Sequence, residues 1–199
     1  MTTAYGELMA SRRRPRPQET GLWYHVATRG VRKLPIVHDD DDRIAFLSQL
    51  GEVVELFGWE LTAFCLMTNH YHLVLRTPAP NIAAGMQRLN FVYARGFNRK
   101  HGFVGHLFDA RYWSGVLRTE SYLLEASRYV VLNPVRAELG GRPHDWAWSS
   151  YRQTVGLDPP ARYLSLGWLD MLDADRAKAQ ALYRSFVYEG IERPPASTA

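Results

Sequence analysis

The 199-residue chain holds one cysteine, Cys65. A single thiol cannot close an internal disulfide, so a disulfide framework is excluded and a reducing compartment is expected. Cys65 lies in an apolar run and reads as a small core residue. Long apolar runs are missing, and no stretch approaches the roughly 20 residues that a membrane-spanning helix needs. The first residues are polar and arginine-rich with no apolar segment behind them, unlike a secretory signal. Internal repeats and a phosphate-cradling glycine loop are lacking too, which sets aside repeat arrays and P-loop nucleotide chemistry. The expectation is a cytoplasmic protein with no membrane partner.

What is present is ordinary globular material, 46% hydrophobic and 22% charged. That is enough for one domain with a sizeable core, plus extensions. The net charge of +4 is unevenly spread. Residues 1–33 carry seven Lys/Arg against two Asp/Glu, and residues 80–142 carry nine against four. Residues 34–79 reverse the balance, with two against seven. Basic segments of this kind suit a polyanion.

Patterning divides the chain into elements. Residues 1–20 include Arg12-Arg13-Arg14-Pro15-Arg16-Pro17 and read as a disordered basic arm. Leu22 to Arg29 reads as a first strand that ends at Gly30, and His25 within it reads as a partly buried histidine with a local hydrogen bond. Asp39 to Asp42 supply negative charge at the start of a helix that Gly58 stops. Trp59–Phe64 and the run from His70 form a strand hairpin, followed by a helix from about Asn81 to His101. Ile82, Met86, Leu89, Phe91, Tyr93 and Phe97 are expected to keep that helix apolar on one side. Arg111 to Leu117 reads as a strand. Thr119 caps a helix that breaks at Asn133-Pro134. Trp146 to Tyr151 reads as an aromatic latch. Asp158-Pro159-Pro160 is a linker, and residues 174–188 form a short helix.

Two constellations carry chemistry. On a strand, side chains alternate faces, so His70 and His72 point the same way. Two adjacent imidazoles on a rigid strand form two-thirds of a three-ligand metal site. On a helix, Tyr129 and Asn133 are one turn apart and share a face. They offer a phenol and a carboxamide oxygen together if that face turns towards the histidines. The segment 91–113 interleaves aromatics with Arg95, Arg99, Lys100 and Arg111, which are candidate phosphate contacts. Most of its aromatics are expected in the core.

The ordered set Tyr24-His25-Val26-Ala27-Thr28-Arg29-Gly30, Met67-Thr68-Asn69-His70-Tyr71-His72, Phe97-Asn98-Arg99, Gly105-His106-Leu107-Phe108, Ser127-Arg128-Tyr129 with Leu132-Asn133-Pro134-Val135-Arg136, and Trp148-Ser149-Ser150-Tyr151 resembles the REP-associated tyrosine transposases. These are single-tyrosine HUH endonucleases, named for their His-hydrophobic-His pair. The resemblance covers about residues 21–155, and Trp113 stands where relatives often have a basic residue. It implies an α+β fold of the ferredoxin-like or RRM-like HUH kind, a central antiparallel sheet flanked by helices. It implies residues 1–20 as an arm, 21–155 as the transposase domain and 156–199 as a C-terminal extension.

By the same resemblance Tyr129 is the nucleophile and His70, His72 and Asn133 hold a divalent metal. That metal would be Mg2+ or Mn2+, although imidazole ligands alone would suit zinc. The implied partner is single-stranded DNA carrying REP-type hairpins, which places the protein at the nucleoid as a monomer or homodimer. The implied reaction is nicking and rejoining through a 5′-phosphotyrosine. Two other readings stand beside it: a non-catalytic hairpin-binding regulator on the same fold, and a small zinc hydrolase that uses water.

Overall fold

A computed structural model describes residues 19–192. Strands β1 (Leu22–Arg29), β2 (Glu60–Leu66), β3 (His70–Thr77) and β4 (Trp113–Leu117) form one sheet in the order β2-β3-β1-β4. Every pairing is antiparallel. The basic arm, up to residue 18, and Arg193–Ala199 lie outside the described residues.

Strand alternation sorts the side chains into two cores. Tyr24 and Val26 of β1, with Tyr71, Leu73 and Leu75 of β3, pack under helices α1 (Asp40–Phe57) and α2 (Ile82–His101). Val74 and Cys65 face the opposite way, against helix α3 (Glu120–Val131). His70 and His72 share parity with Val74 and so belong to the α3 side. Each fully buried Leu or Val in these layers contributes about 1.5–3 kcal/mol.

The helix ends follow from local chemistry. Asp39 accepts a hydrogen bond from the backbone N–H of Asp42, and Asp40, Asp41 and Asp42 complete an acidic first turn. Gly58 ends α1 with φ 64°, a left-handed conformation that only glycine adopts at little cost. Thr119 caps α3 by accepting from Tyr122. Phe91, expected on the apolar side of α2, is 64% exposed. It lies two residues from the buried Tyr93, and a 3.6-residue period cannot bury both. The fourth strand begins at Trp113 rather than at Arg111.

After α3 come the short helices α4 (Asn133–Arg136) and α5 (Tyr151–Thr154) and then α6 (Arg176–Glu192). The aromatic latch closes the β2 edge: Trp148 accepts from Leu66 N–H at 2.9 Å, and Trp146 Nε1 donates to the Leu66 carbonyl at 3.0 Å. This gives partners to backbone groups that an open edge strand would expose. Helix α6 adds Ala179, Tyr183 and Val187 to the α3 core. Arg128 of α3 lies over the Phe186 ring at 4.1 Å. No helix among the described residues is long and apolar enough to cross a membrane.

Gly85 of α2 tests the packing of this layer. A Cβ there would stand 2.1 and 2.5 Å from the Trp59 ring. That ring is 4% exposed, and its Nε1 donates to Asn81 Oδ1 at 2.8 Å, so it has nowhere to move. Helix propensity alone favours Gly85→Ala by about 0.5–1 kcal/mol, whereas overpacking costs about 1–3 kcal/mol. We expect net destabilisation of about 1–2 kcal/mol in urea unfolding; a more stable variant would mean that Trp59 yields.

Candidate active site

The site forms where β1, β3 and α3 meet. In the β1–β3 register Arg29 lies opposite His70 and Ala27 opposite His72, while Ala27 also pairs with Trp113 of β4. The small Ala27 side chain leaves room on this face. His25, two residues back along β1, reaches diagonally to β3, where its Nε2 lies 3.0 Å from His72 Nδ1. Opposite His25 on β4 is Gly115, which has no side chain, and the Trp113 ring meets the His25 ring edge-on at 5.3 Å. His25 is therefore fully buried and bonded across the sheet, not partly buried with a local partner as expected. No local pattern reveals this contact, because it depends on strand register.

His70 donates from Nδ1 to Asn69 Oδ1 at 2.7 Å. The His70 and His72 rings lie 5.1 Å apart and nearly perpendicular. Helix α3 brings the Tyr129 ring to 5.8 Å from both His72 and His25. The guanidinium of Arg136 sits 4.8 Å from the Tyr129 ring centre, and its Nη1 donates to the Tyr129 carbonyl at 3.2 Å.

Asn133 follows from the proline beside it. Pro134 has no N–H, so the Val130 carbonyl lacks its usual helical donor. Asn133 Nδ2 donates to Val130 O at 3.3 Å and to Tyr129 O at 2.9 Å. It does not cap the following helix, where no side-chain cap bond forms. With Nδ2 committed to the helix, Oδ1 is left for another partner.

Burial controls the imidazoles. It pushes His25 down to about 3, and burial aided by Arg29 pushes His70 down to about 4. His72 lies well below the usual histidine range, chiefly through burial and then through His25, His70, Arg29 and Arg136. All three are neutral near pH 7 and so retain lone pairs for ligation. Arg29 and Arg136 place positive charge beside them and favour an anion.

Of the residues singled out in the sequence, the fold brings His70, His72 and Tyr129 together and places Asn133 one turn beyond Tyr129. It adds His25, Asn69, Arg29 and Arg136. Asn69 could have been found from its place beside His70, whereas His25 and Arg29 needed the strand register and Arg136 the path of the chain from α3 into α4. Arg95 and Arg99 are exposed on α2, in the layer across the sheet from the histidine pair, and Arg111 is exposed just before β4. Lys100 is also exposed on α2, and its Nζ lies 2.7 Å from Asp39 and 2.9 Å from Asp42, so its charge is shared with carboxylates of the fold. Asp39, Asp42 and His101 bring ligand atoms within 4.8 Å of one another. The Lys100 ammonium already serves both carboxylates there, and His101 Nε2 lies 2.9 Å from Asp42.

A four-stranded antiparallel sheet between helices, with this tyrosine helix over a histidine pair, defines an α+β transposase-like fold. The family model described as "Transposase IS200 like" matches residues 18–133, more than half of the chain, and the chain belongs to that family. It is 24% identical over 121 residues to a candidate REP-associated tyrosine transposase of Haemophilus influenzae (strain ATCC 51907 / DSM 11121 / KW20 / Rd), covering 55% of this chain and 69% of that protein. It also resembles the solved structure of a REP-associated tyrosine transposase bound to a REP hairpin, with a TM-score of 0.61 and 18% identity. That match covers 75% of this chain and 88% of the other.

The depressed imidazoles make an acid prediction for the metal-free protein. Their folded values lie below the ordinary histidine value, so the unfolded chain takes up protons first as pH falls. The stability they contribute is complete above about 6.5 and is lost between there and about 4 to 3. In EDTA, urea unfolding at pH 5 should give on the order of 1–2 kcal/mol less stability per imidazole than at pH 7. The drop should be smaller in His70→Gln. An equal drop in both proteins would mean that His70 is hydrated and titrates normally.

Proposed function

We propose that the protein is a nicking and strand-transfer enzyme for single-stranded DNA, acting at REP-type hairpins through a 5′-phosphotyrosine. The observation that carries this reading is the Tyr129 ring held 5.8 Å from His72, over a strand whose histidine pair faces it. Family membership and a structural relative bound to a REP hairpin support the substrate class.

A divalent cation fits the donor set. His70 and His72 each commit Nδ1 to a neighbour, which leaves Nε2 available, and Asn133 commits Nδ2, which leaves Oδ1. These three residues would hold the ion. An amide oxygen together with a phosphate suits Mg2+ or Mn2+ as hard ions. When bound, such an ion would supply Lewis-acid stabilisation of the negative charge that develops on the phosphate.

The side chains account for the rest. Arg29 and Arg136 attract and orient the scissile phosphate. Tyr129 Oη bonds to phosphorus as the bond to the 3′ oxygen breaks, leaving a 5′-phosphotyrosine and a free 3′-hydroxyl. The phenol loses one proton and the departing oxygen gains one, so the step is balanced. The phosphodiester bond energy is retained in the tyrosyl ester, and a 3′-hydroxyl can reverse the step onto a new end without ATP. Arg95, Arg99 and Arg111 are proposed to hold DNA away from the reacting phosphate.

The test is hairpin DNA with its flanks, taken from beside the protein's own gene, incubated with Mn2+ or Mg2+ and run on a denaturing gel. We expect a covalent protein–DNA band that requires metal, vanishes in Tyr129→Phe and falls about 10²-fold or more in His70→Ala or His72→Ala. Binding without that band would favour a regulator. Cleavage that survives Tyr129→Phe would make water the nucleophile. Charge reversal at Arg95, Arg99 and Arg111 should weaken binding and flatten its salt dependence; unchanged affinity would remove those residues from the interface.

A further inference from the structure

A neutral imidazole carries one proton and two nitrogens, and only the nitrogen without the proton can bind a metal. Two neutral histidines side by side therefore have four combinations of tautomers, and one of them presents Nε2 on both rings. Hydrogen bonds on the far side of each ring decide which combination is populated.

At His70 the donor and acceptor are unambiguous. Asn69 Nδ2 donates to the Lys33 carbonyl at 3.0 Å, so the amide cannot be turned round without setting two oxygens against each other. Asn69 Oδ1 is then the atom 2.7 Å from His70 Nδ1, and a carbonyl oxygen can only accept. The proton is on Nδ1 and the lone pair is on Nε2. At His72 the partner of Nδ1 is His25 Nε2, at 3.0 Å and fully buried on both sides of the bond.

The turn that supplies the Lys33 carbonyl is held against backbone preference. Arg32 and Lys33 have φ of 53° and 63°, left-handed values that cost a non-glycine residue of order 1–3 kcal/mol. The turn folds so closely over Gly30 that a Cβ there would stand 2.2 Å from the Leu34 carbonyl oxygen. It is stapled to the residues before β3 by Gly30 N–H to Asn69 O and Ile36 N–H to Thr68 O, each 2.8 Å. A strained turn persists only where its surroundings over-determine it, and here its carbonyl sets the orientation of the Asn69 amide.

We propose that Asn69 and His25 are positioning residues for the histidine pair. They keep the ring proton of His70 and His72 on Nδ1, so that both rings present a bare Nε2 to the same space. This rests on the reading of His70 and His72 as metal ligands. The 3.0 Å contact between His25 Nε2 and His72 Nδ1 fits this tautomer with His72 as the donor, which puts the proton of His25 on Nδ1. Asn69 and the strained Arg32–Lys33 turn thus link the β1–α1 connection to the metal ligands.

The test uses full-length protein with 15N-labelled histidine rings and reads tautomers without metal, from long-range 1H–15N spectra. His70→Gln assigns the His70 signals. In the wild type we expect both His70 and His72 as single Nδ1–H tautomers; an Nε2–H form of either overturns the proposal. In Asn69→Ala an Nε2–H form of His70 should appear, and Mn2+ affinity, titrated by electron paramagnetic resonance, should fall about tenfold. Asn69→Asp keeps the acceptor for His70 but faces a carboxylate to the Lys33 carbonyl. It should retain the tautomer and the Mn2+ affinity while melting below Asn69→Ala.

A merely structural role gives the other order, with Mn2+ affinity following stability and the aspartate variant lowest. That order, or an unmixed Nδ1–H signal in Asn69→Ala, overturns the proposal. If the wild type fails to bind Mn2+, the metal reading falls, and the tautomer spectra still decide the positions of the protons.

Discussion

The antiparallel register of β1 on β3 is the constraint on which the site depends. With Arg29 opposite His70 and Ala27 opposite His72, the histidine pair, His25 and the space for Tyr129 all fall on one face. Side chains on a strand alternate strictly, so a slip of β3 by one residue would turn His70 and His72 towards α1 and α2 and bring Tyr71 to the α3 side. The register is held from both faces. Tyr24, Val26, Leu73 and Leu75 lock it through the larger core, and the Gly30–Asn69 backbone bond closes the end that carries the histidine pair.

Burial has a double effect here. It makes the sheet stable and it also keeps the three imidazoles uncharged, because a proton would cost desolvation that no carboxylate among the described residues offsets. A neutral imidazole is what a metal needs, and the adjacent Arg29 and Arg136 are what a phosphate needs. Neither requirement conflicts with packing. The same hydrogen bonds that satisfy buried nitrogens aim the remaining lone pairs, and the amide that fills the gap left by Pro134 does the same for Asn133. Helix α3 carries the tyrosine and is itself pinned from outside by α6 through the contact of Arg128 with Phe186. The C-terminal helix is therefore part of what sets the position of the tyrosine.

Charge along the chain has a meaning that composition did not show. The acidic run Asp39–Asp42 starts a helix and also neutralises Lys100, so part of the central basic segment is internal to the fold. The arginines beside the histidine pair and Tyr129 come instead from the end of β1 and from the short helix that holds Pro134. A linear count of positive residues cannot separate these two uses, because distance in space, not in sequence, decides which charge meets which.

Local rules by themselves determined the elements and the identity of the central pair. Alternation in His70-Tyr71-His72, helical spacing between Tyr129 and Asn133, the aspartate start, Gly58 and the Asn133-Pro134 break act over a few residues, and the structure follows each of them. Phe91 departed because apolar type was read as burial, while helical period places it outside. The tertiary structure alone decided that His25 packs against the histidine pair, that Lys100 pairs with Asp39 and Asp42, and that Arg29 and Arg136 flank the histidines. Those facts depend on strand register and on which face each helix covers. Both are set by contacts between residues far apart in the chain, such as the 47 positions between His25 and His72, and local patterning carries no record of them.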